Sequence, residues 1–487
     1  MKERLIFDNF NNFLEFIETK GELVRIKHPV DPYLEITEIT NRVVKKGGPA
    51  LLFEKVKGSG FPLAINVFGS KKRMCFALGV DNIEEIGEEI KELFKSSPPT
   101  NLRDKFYMLL KLANTAKVFP KITSFHAPSQ EIIINSPDLN NLPILHSWPK
   151  DAGPFITLPL VIIKDPETGA RNCGMYRLQK FSSNTLGIHW QLHKDGRRIF
   201  NKYKSLNKKM EIVASLGGDP VLTYTATAPM PPEVDELLFA GFIRKKGVGL
   251  IKGITVDIDV PVSADFVLEG YVDPEEEFKT EGPFGDHTGF YSEANDFPVM
   301  HVTAITHREN PVYPATIVGI PPMEDGYIGW ATERIFLPLL QMLFPEIIDI
   351  HLPAEGGFHN LAIISIKKSY PGHGTKIMHS LWGLGQMMLT KCFVVVENEI
   401  DIHDLKTLLW YVLNNVDPKR DITFWQGPLD ELDHSSNYPF YGGKVGIDAT
   451  KKWREEGYTR KWPEMIKMKH EVIERVNEIW ERLGINL

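Results

Sequence analysis

The spacing of the apolar residues changes twice along this chain, and that change constrains its fold more than any other feature. From about residue 120 to residue 315, short β-branched runs alternate with turn residues, and few long helical patterns interrupt them. Such a pattern is typical of an antiparallel barrel or sandwich. On both sides, helical and strand patterns alternate, which is typical of α/β units. The sequence therefore predicts three domains, at residues 1–118, 119–316 and 317–487.

The two flanking parts contain the clearest individual elements. Apolar residues at helical spacing over Phe7–Thr19, followed by Gly21, predict an amphipathic helix. The last part is predicted to form a helix, a strand, a helix and a buried strand, over WATERIFLPLLQMLF, LAIISIKK, TKIMHSLWGLGQMML and CFVVVEN. A terminal helix is predicted from Pro463 to Leu483, and it can lie on a partner subunit or on its own chain. The polar stretch Lys117–Pro128 is predicted to be a linker.

Composition and motif spacing exclude several classes of protein. The 487 residues carry a net charge of −7, and no basic stripe interleaved with aromatic residues indicates nucleic-acid binding. No run approaches the ~18 apolar residues that a membrane span needs, and the N-terminal segment lacks the apolar stretch of a signal peptide. We therefore expect a cytoplasmic protein. Three distant cysteines fit no disulfide framework, and the HExxH, P-loop and GxGxxG spacings are absent.

Candidate catalytic carboxylates lie in one turn-rich string of the middle part. In TEGPFGDHTGFY (Thr280–Tyr291), Glu281 and Asp286 are five residues apart across two glycines and a proline. A turn can direct both carboxylates into one small space, which separates their pKa values and suits proton transfer. The spacing is equally compatible with two solvated turn residues.

Three further strings supply candidate metal ligands. An amide oxygen of Asn172, an imidazole of His189 and the carboxylate of Glu236 could share one divalent cation. Mixed oxygen and nitrogen donors with one carboxylate suit Mg²⁺ or Mn²⁺, which often bridge to a phosphate. Each residue also has a structural interpretation, as a turn residue, a core histidine and a helix-start carboxylate respectively.

Five strings taken together resemble the UbiD family of prenylated-flavin-dependent (de)carboxylases. In chain order they are NCGMYRLQ (172–179), HWQLHKDG (189–196), PPEVDE (231–236), EGPFGDHTGFY (281–291) and GGKVGIDATKKW (442–453). The eleven residues of EGPFGDHTGFY are the most specific of them, and the order of all five strengthens the resemblance. Asp286 stands where the ferulic acid decarboxylase branch has Glu, so the chain is most similar to the aromatic-acid branch of quinone biosynthesis.

The resemblance implies a set of site residues. The family's catalytic constellation falls on Arg177, Glu281 and Asp286, with Arg177 keeping Glu281 ionised and Asp286, its pKa raised, delivering the proton. The metal ligands fall on Asn172 and Glu236, with His189 as the third ligand and His193 as its alternative. The remaining residues expected to line the cofactor are Met175, Tyr176, Trp190, Gln191, Lys194 and Asp195.

The resemblance also implies the fold, the reaction and the partners. The family has an N-terminal α/β domain, a central split β-barrel of the flavin-reductase type, and a C-terminal α/β domain whose terminal helix contacts other subunits. We expect reversible, non-oxidative decarboxylation of an aromatic acid, such as a 4-hydroxy-3-polyprenylbenzoate, with prenylated FMN as the electron sink. The expected ions are Mn²⁺ or Mg²⁺, with K⁺ as a further candidate.

The expected partners are a flavin prenyltransferase that supplies the cofactor and copies of the same chain, in a dimer to a hexamer. A polyprenylated substrate would add peripheral contact with the inner membrane. Two alternatives remain at this point. One is a split-barrel flavin reductase, which would need a nicotinamide site, and the other is a non-catalytic subunit of a carboxylase complex.

Overall fold

The computed structural model describes residues 4–95, 117–124, 127–231 and 234–485. Its first helix begins where the Asn9 side chain accepts a hydrogen bond from the Asn12 N–H, and the chain leaves it through Gly21 at φ +73°. Phe10, Phe13 and Ile17 of this helix are buried, as the apolar spacing predicts. The elements of this part are α1 Phe10–Thr19, β1 Leu23–Ile26, α2 Glu35–Val44, β2 Ala50–Phe53, β3 Leu63–Ile65, α3 Lys71–Ala77 and α4 Glu84–Lys95.

The middle part is dominated by strands. Its elements are β4 Lys121–Ile122, β5 Ile132–Ile134, β6 Phe155–Ile156, β7 Leu160–Lys164, β8 Arg171–Met175, β9 Leu178–Lys180, β10 Thr185–Ile188, α5 Asp195–Leu206, β11 Met210–Leu216, α6 Pro220–Thr225, α7 Glu236–Arg244, β12 Gly249–Lys252, β13 Asp259–Pro261, β14 Phe266–Val272, β15 Lys279–Glu281, β16 Asn295–Phe297, β17 Val299–His307 and β18 Tyr313–Ala315.

Nine of these strands form one curled sheet, in the order β6-β9-β10-β17-β14-β11-β7-β8, with β5 also paired to β17. All of its pairings are antiparallel, and the register shifts between Glu269 and Gly270 of β14. Two short pieces lie outside this sheet, the three-stranded β13-β12-β4 and the hairpin β15-β16. The hairpin carries the acidic string identified in the sequence.

The last part alternates helices and strands. Its elements are α8 Glu324–Leu343, β19 Ile347–His351, β20 Leu361–Ile366, α9 His373–Trp382, β21 Cys392–Glu397, α10 Leu405–Asn415, α11 Pro418–Asp421, β22 Ile422–Pro428, β23 Tyr441–Asp448 and α12 His470–Ile479. The strands form a mixed sheet in the order β19-β20-β21-β23-β22, with β21 parallel to both neighbours. Helix α12 buries none of its residues within this chain.

The predicted fold class is confirmed: two α/β parts flank a curled antiparallel sheet. The parts are not strictly consecutive, because β18 pairs in parallel with β3 and completes the N-terminal sheet β1-β2-β3-β18. The domain boundaries at 118 and 316 therefore remain a proposal. The stretch Lys117–Pro128, predicted to be a linker, contributes strand β4, and its residues 125–126 lie outside the described residues. No helix in the described ranges is long and apolar enough to cross a membrane.

Candidate active site

The hairpin of β9 and β10 brings the first two site residues together. Its register pairs Leu178 with Ile188, so the residues just beyond that pair, Arg177 and His189, lie opposite each other. The His189 N–H donates a hydrogen bond of 3.3 Å to the Arg177 carbonyl oxygen. Both side chains are almost fully buried. Residues twelve positions apart in sequence are thus held side by side by strand pairing.

The hairpin of β15 and β16 positions the two carboxylates. Glu281 is the last residue of β15, and Asp286 lies in the loop that follows, where its N–H donates to the Phe290 carbonyl oxygen at 3.0 Å. The loop is anchored from outside by the Gly285 N–H, which donates to Asp151 Oδ1 at 2.7 Å. A Cβ at Gly285 would fall 2.2 Å from Trp148 Cδ1, so the close approach requires glycine.

Arg177 joins these two hairpins. Its Nε donates to Glu281 Oε1 at 2.8 Å and its Nη2 to Glu281 Oε2 at 3.1 Å, a two-bond pairing of guanidinium and carboxylate. Its Nη1 donates to Asp286 Oδ2, and its Nη2 also donates to Ser292 Oγ at 3.1 Å. The guanidinium carbon lies 4.7 Å from the centre of the Phe284 ring. The structure therefore brings Arg177, Glu281 and Asp286 into one buried ion-paired group.

Both carboxylates are strongly acidic in this group. Burial alone would raise the pKa of Glu281, but the hydrogen bond with His189 and the charge of Arg177 lower it to about 2. Burial would likewise raise the pKa of Asp286, yet the hydrogen bond from His287 and the charge of Arg177 hold it well below its usual range. The prediction of a raised pKa at Asp286 is therefore wrong, because Arg177 contacts both acids and not Glu281 alone.

His189 borders a cleft between the middle and last parts of the chain. Its Nδ1 lies 3.0 Å from both Glu281 Oε2 and Arg177 Nη2, and its Nε2 lies 3.9 Å from Glu431 Oε2. A proton on Nδ1 would be donated to Glu281, whereas an unprotonated Nδ1 would accept from Arg177, so these contacts suit either tautomer. Neither His189 Nε2 nor Glu431 Oε2 has a hydrogen-bond partner among the described residues. The cleft has a volume of about 290 Å³ and is also lined by Arg197.

Asn172 and Glu236 form a second buried pair. Glu236 is the first residue of α7, and its Oε1 accepts from Asn172 Nδ2 at 3.0 Å while its Oε2 accepts from the Cys173 N–H at 2.8 Å. Burial raises the pKa of Glu236 to about 8, and the neighbouring charges of Asp235 and Asp195 act in the same direction. Asn172 Oδ1 is buried without a hydrogen-bond partner in the described part of the chain.

This pair fits a divalent cation. A buried carboxylate surrounded by acidic charge and an unpaired amide oxygen are the oxygen ligands that Mg²⁺ and Mn²⁺ prefer. His189, the predicted third ligand, instead contacts Glu281, Arg177 and Glu431, and among described residues it makes no hydrogen bond to Asn172 or Glu236. His193 is exposed, with its ring centre 5.9 Å from that of Phe440.

The other residues predicted to line the cofactor lie around these two groups. The Tyr176 hydroxyl accepts from the Gly196 N–H at 3.2 Å, and its ring meets that of Trp190 edge-on in the core. The Met175 N–H donates to the Ala226 carbonyl oxygen at 2.9 Å. Gln191, Lys194 and Asp195 are half-buried and lead into α5. The Tyr176 and Trp190 side chains therefore mainly pack in the core, and the role of this segment in binding the cofactor stays a prediction.

Sequence reasoning missed three residues of the site. Glu431 comes from the last part of the chain, in a short acidic string with no motif or periodicity to identify it. Ser292 lies just beyond the acidic string and binds Arg177. His287 lies within the string, and its Nδ1 is 2.9 Å from Asp286 Oδ1. Its position beside a candidate acid was a signal that could have identified it.

Comparison with known proteins identifies the family of this chain. Three family models described as parts of 3-octaprenyl-4-hydroxybenzoate carboxy-lyase match: the N-terminal domain at residues 14–90, the Rift-related domain at 121–321 and the C-terminal domain at 326–449. An uncharacterized protein of Aquifex aeolicus (strain VF5) is 51% identical over 481 residues, which cover 98% of this chain and 99% of that protein.

Two solved structures resemble the whole fold. The vanillic acid decarboxylase of Sedimentibacter hydroxybenzoicus in closed form is 27% identical, with a TM-score of 0.85 over 99% of this chain and 100% of that chain. An evolved dimeric form of the UbiD-class enzyme HmfF from Pelotomaculum thermopropionicum, in complex with prFMN, is 29% identical, with a TM-score of 0.76 over 95% of this chain and 97% of that chain. The resemblance seen in the five sequence strings is confirmed, and the chain belongs to the UbiD family.

Proposed function

We propose that this protein is a carboxy-lyase that reversibly decarboxylates a small aromatic carboxylic acid, without net oxidation, using prenylated FMN. The observation that carries the proposal is the buried group in which Arg177 binds Glu281 through two bonds and Asp286 through a third. Two ionised acids and one guanidinium, buried together beside a cleft, provide fixed charges and a site for proton transfer.

Support for the cofactor comes from the chemistry and from a relative. Departure of CO₂ leaves an electron pair that no protein side chain can delocalise, and a bound prenylated flavin would supply that electron sink. The UbiD-class enzyme with which the chain shares 29% identity was solved in complex with prFMN. In this chain, Asn172 and Glu236 would hold a divalent ion, Mn²⁺ or Mg²⁺, against the cofactor phosphate. His189 and the backbone from Met175 to Arg177 would border the flavin.

Arg177 positions the acids and can also receive the substrate. The guanidinium of Arg177 binds the Glu281 carboxylate with some of its N–H donors. Another of its donors is directed at the Asp286 carboxylate. An anionic substrate carboxylate can take the place of Asp286 on Arg177. Asp286 would then lose its stabilising cation and gain a negative neighbour, and both changes raise its pKa. The substrate itself thus prepares Asp286 to carry the proton.

His287 can supply that proton. Burial alone would lower the pKa of His287, but the hydrogen bond to Asp286 and its charge raise it overall. Since His287 Nδ1 lies 2.9 Å from Asp286 Oδ1, a proton can pass between them without a large movement. Glu281, with a pKa of about 2, stays ionised throughout and holds Arg177 and His189 in place.

The substrate is proposed to be a hydroxylated aromatic acid. A relative that matches 99% of the chain, at 27% identity, is a vanillic acid decarboxylase, and the family models are described as 3-octaprenyl-4-hydroxybenzoate carboxy-lyase. A 4-hydroxy-3-polyprenylbenzoate or a related quinone precursor is the finer proposal. It would bring the protein into peripheral contact with a membrane, and a flavin prenyltransferase would supply its cofactor.

The charged group argues against the two alternatives. The reaction of a split-barrel flavin reductase does not require a buried arginine paired with two acids. A non-catalytic subunit does not require two ionised acids in a buried site. The test is to coexpress the protein with a flavin prenyltransferase, record its ultraviolet–visible spectrum and measure CO₂ release from a panel of hydroxybenzoic acids. A spectrum unlike that of FMN together with CO₂ release is expected. An FMN spectrum with NAD(P)H consumption and no CO₂ would contradict the proposal.

A further inference from the structure

A second cluster of ligating side chains lies in the last part of the chain. Glu333 projects from the middle of α8, His351 is the final residue of β19, and His403 lies just before α10. One ligand atom of each residue lies within 4.8 Å of the other two. Three separate elements therefore direct imidazole and carboxylate groups at one point, and none of these residues takes part in the site described above.

One pair of these atoms is hydrogen-bonded and already has a spacing close to that of metal ligands. His351 Nδ1 lies 3.1 Å from Glu333 Oε2. Two ligands bound at ~2.05 Å to a tetrahedral zinc ion are about 3.3 Å apart. The rings of His351 and His403 have their centres 4.5 Å apart. The three ligand atoms, at most 4.8 Å apart, would have to lie about 3.3 Å apart to bind one ion.

His403 is held by a carboxylate on its far nitrogen. Its Nε2 lies 2.9 Å from Asp349 Oδ2, so Nε2–H donates to this acid and Nδ1 carries the free electron pair. A metal-binding histidine commonly donates its other ring N–H to a carboxylate in this way, which fixes the tautomer that can bind the ion. Asp349 is itself fixed, because its Oδ1 lies 2.7 Å from Arg334 Nη2.

Charge and burial also favour a cation. The Glu333 side chain is fully buried; its Oε2 accepts from the Leu352 N–H at 2.5 Å, and its Oε1 lies 2.9 Å from Arg334 Nη2 without forming a hydrogen bond. Two carboxylates, Glu333 and Asp349, face one guanidinium, so the cluster is net negative when both imidazoles are neutral. A divalent ion would offset that charge by binding Glu333 Oε2 in place of its hydrogen bond with His351.

We propose that Glu333, His351 and His403 bind one zinc-class ion, with Asp349 orienting His403 and water in the fourth position. Two imidazoles and one carboxylate are donors that suit Zn²⁺ better than Mg²⁺ or Mn²⁺. The ion would join α8 to the end of β19 and to the segment before α10. It is distinct from the ion proposed at Asn172 and Glu236, whose donors are oxygens.

The test is a calorimetric titration of the chelator-treated full chain with Zn²⁺, in a Glu236→Ala background that removes the other candidate site. One equivalent is expected to bind. His403→Ala, a change at a residue with 36% of its side chain exposed, should raise the Kd at least ~10²-fold, and Asp349→Asn about 10- to 100-fold. The matched control is His470→Ala, because the His470 side chain is 83% exposed on α12 and should leave the Kd unchanged.

Three further measurements test for misfolding and for loose binding. Circular dichroism of His403→Ala should match the parent, and Co²⁺ should give tetrahedral visible bands in the parent that are absent in His403→Ala. The melting temperature of the parent should rise with Zn²⁺, and that rise should be lost in His403→Ala. The proposal is overturned if the Glu236→Ala protein binds no Zn²⁺, or if a folded His403→Ala variant binds it with the parent's affinity.

Discussion

At the scale of single residues, the site depends on the hydrogen bonds that Arg177 donates to Glu281 and Asp286. A lysine at this position keeps the charge but loses the planar group that binds Glu281 through two bonds and Asp286 through a third. We expect Arg177→Lys to remain folded and loaded with flavin, and to lose at least ~10²-fold in kcat, the usual result of losing one positioning group. Steady-state kinetics and flavin content measure both effects.

The matched control is Arg42→Lys, which changes a guanidinium whose side chain is 75% exposed on α2. It should leave kcat and flavin content unaltered. Turnover of Arg177→Lys at the wild-type rate would remove Arg177 from the mechanism.

The raised pKa of Glu236 gives the proposed metal site a pH dependence. Because its folded pKa is about 8, the carboxyl is mostly protonated below that pH, and a metal ion must displace the proton. Mn²⁺ affinity should therefore rise by up to about tenfold per pH unit from pH 6 to pH 8 and level off above it. Electron paramagnetic resonance of free Mn²⁺, recorded in a His403→Ala background, measures the change.

Glu236→Gln is the matched variant, since it keeps the size of the side chain and removes the titrating group. It should bind Mn²⁺ weakly and with a flat pH profile from pH 6 to pH 8. An unchanged, pH-dependent affinity in this variant would move the metal site away from Glu236.

At the scale of elements, the acidic loop between β15 and β16 is held against the rest of the molecule at Gly285. Trp148 cannot move aside easily, because its Nε1–H donates to the Val318 carbonyl oxygen at 2.9 Å. Gly285→Ala would place a Cβ 2.2 Å from Trp148 Cδ1, so the loop and Asp286 must shift. We expect kcat to fall about 10- to 100-fold in a protein that still binds flavin, since small misplacements of a catalytic group cost this much.

Gly443→Ala serves as the control for that change. An added Cβ at Gly443, in strand β23, meets no atom within 4 Å. This variant should keep wild-type kcat. If Gly285→Ala also keeps it, the position of the loop does not limit the reaction.

Some of the helices and strands could be predicted from the sequence, and others could not. The amphipathic spacing of α1 and the apolar run of β21 predict those elements well, because each has a simple pattern of burial. Helix α7 was anticipated only at its first residue, through the interpretation of Glu236 as a helix-start carboxylate. All nine of its residues are buried, so no polar face marks the rest of the helix in the sequence. The predicted helix over Pro463–Leu483 is observed only from His470, as α12.

The site was predictable only in part for a similar reason. The strings around Arg177, Glu281 and Asp286 are local, and the structure brings those three residues together. Glu431 reaches the site through tertiary packing, which no local spacing reports. The pKa of Asp286 depends on whether Arg177 contacts it. That contact forms only because two hairpins far apart in sequence, β9-β10 and β15-β16, lie side by side in the structure.

At the scale of the whole molecule, exposed apolar side chains indicate assembly. Helix α12 exposes Ile473, Val476 and Ile479, and α10 exposes Trp410 and Leu413. Large apolar surfaces of this kind mark protein interfaces. We expect a homo-oligomer, a dimer to a hexamer, in light scattering coupled to gel filtration.

Ile473→Glu combined with Val476→Glu should shift the protein to smaller species. Ile473 and Val476 are 45% and 37% exposed, so burying what remains exposed would contribute roughly 1–2.5 kcal/mol to association at each copy of the contact. The control is Glu478→Lys, which changes charge on the same helix without removing an apolar group. A monomeric wild-type protein would contradict the expectation, and so would a double variant of unchanged mass.

The central claim is that the buried Arg177 group performs decarboxylation with Asp286 carrying the proton. The most direct test is deuterium exchange into the decarboxylated product in D₂O, catalysed by flavin-loaded wild-type protein, Asp286→Asn and Glu281→Gln. Asp286→Asn keeps the size of the side chain but not the proton, so it should bind flavin and exchange roughly 10²- to 10⁴-fold more slowly than wild type. Glu281→Gln should impair an earlier step, because it weakens the hold on Arg177. If Asp286→Asn exchanges deuterium as fast as wild type, Asp286 is not the proton donor and the account is wrong.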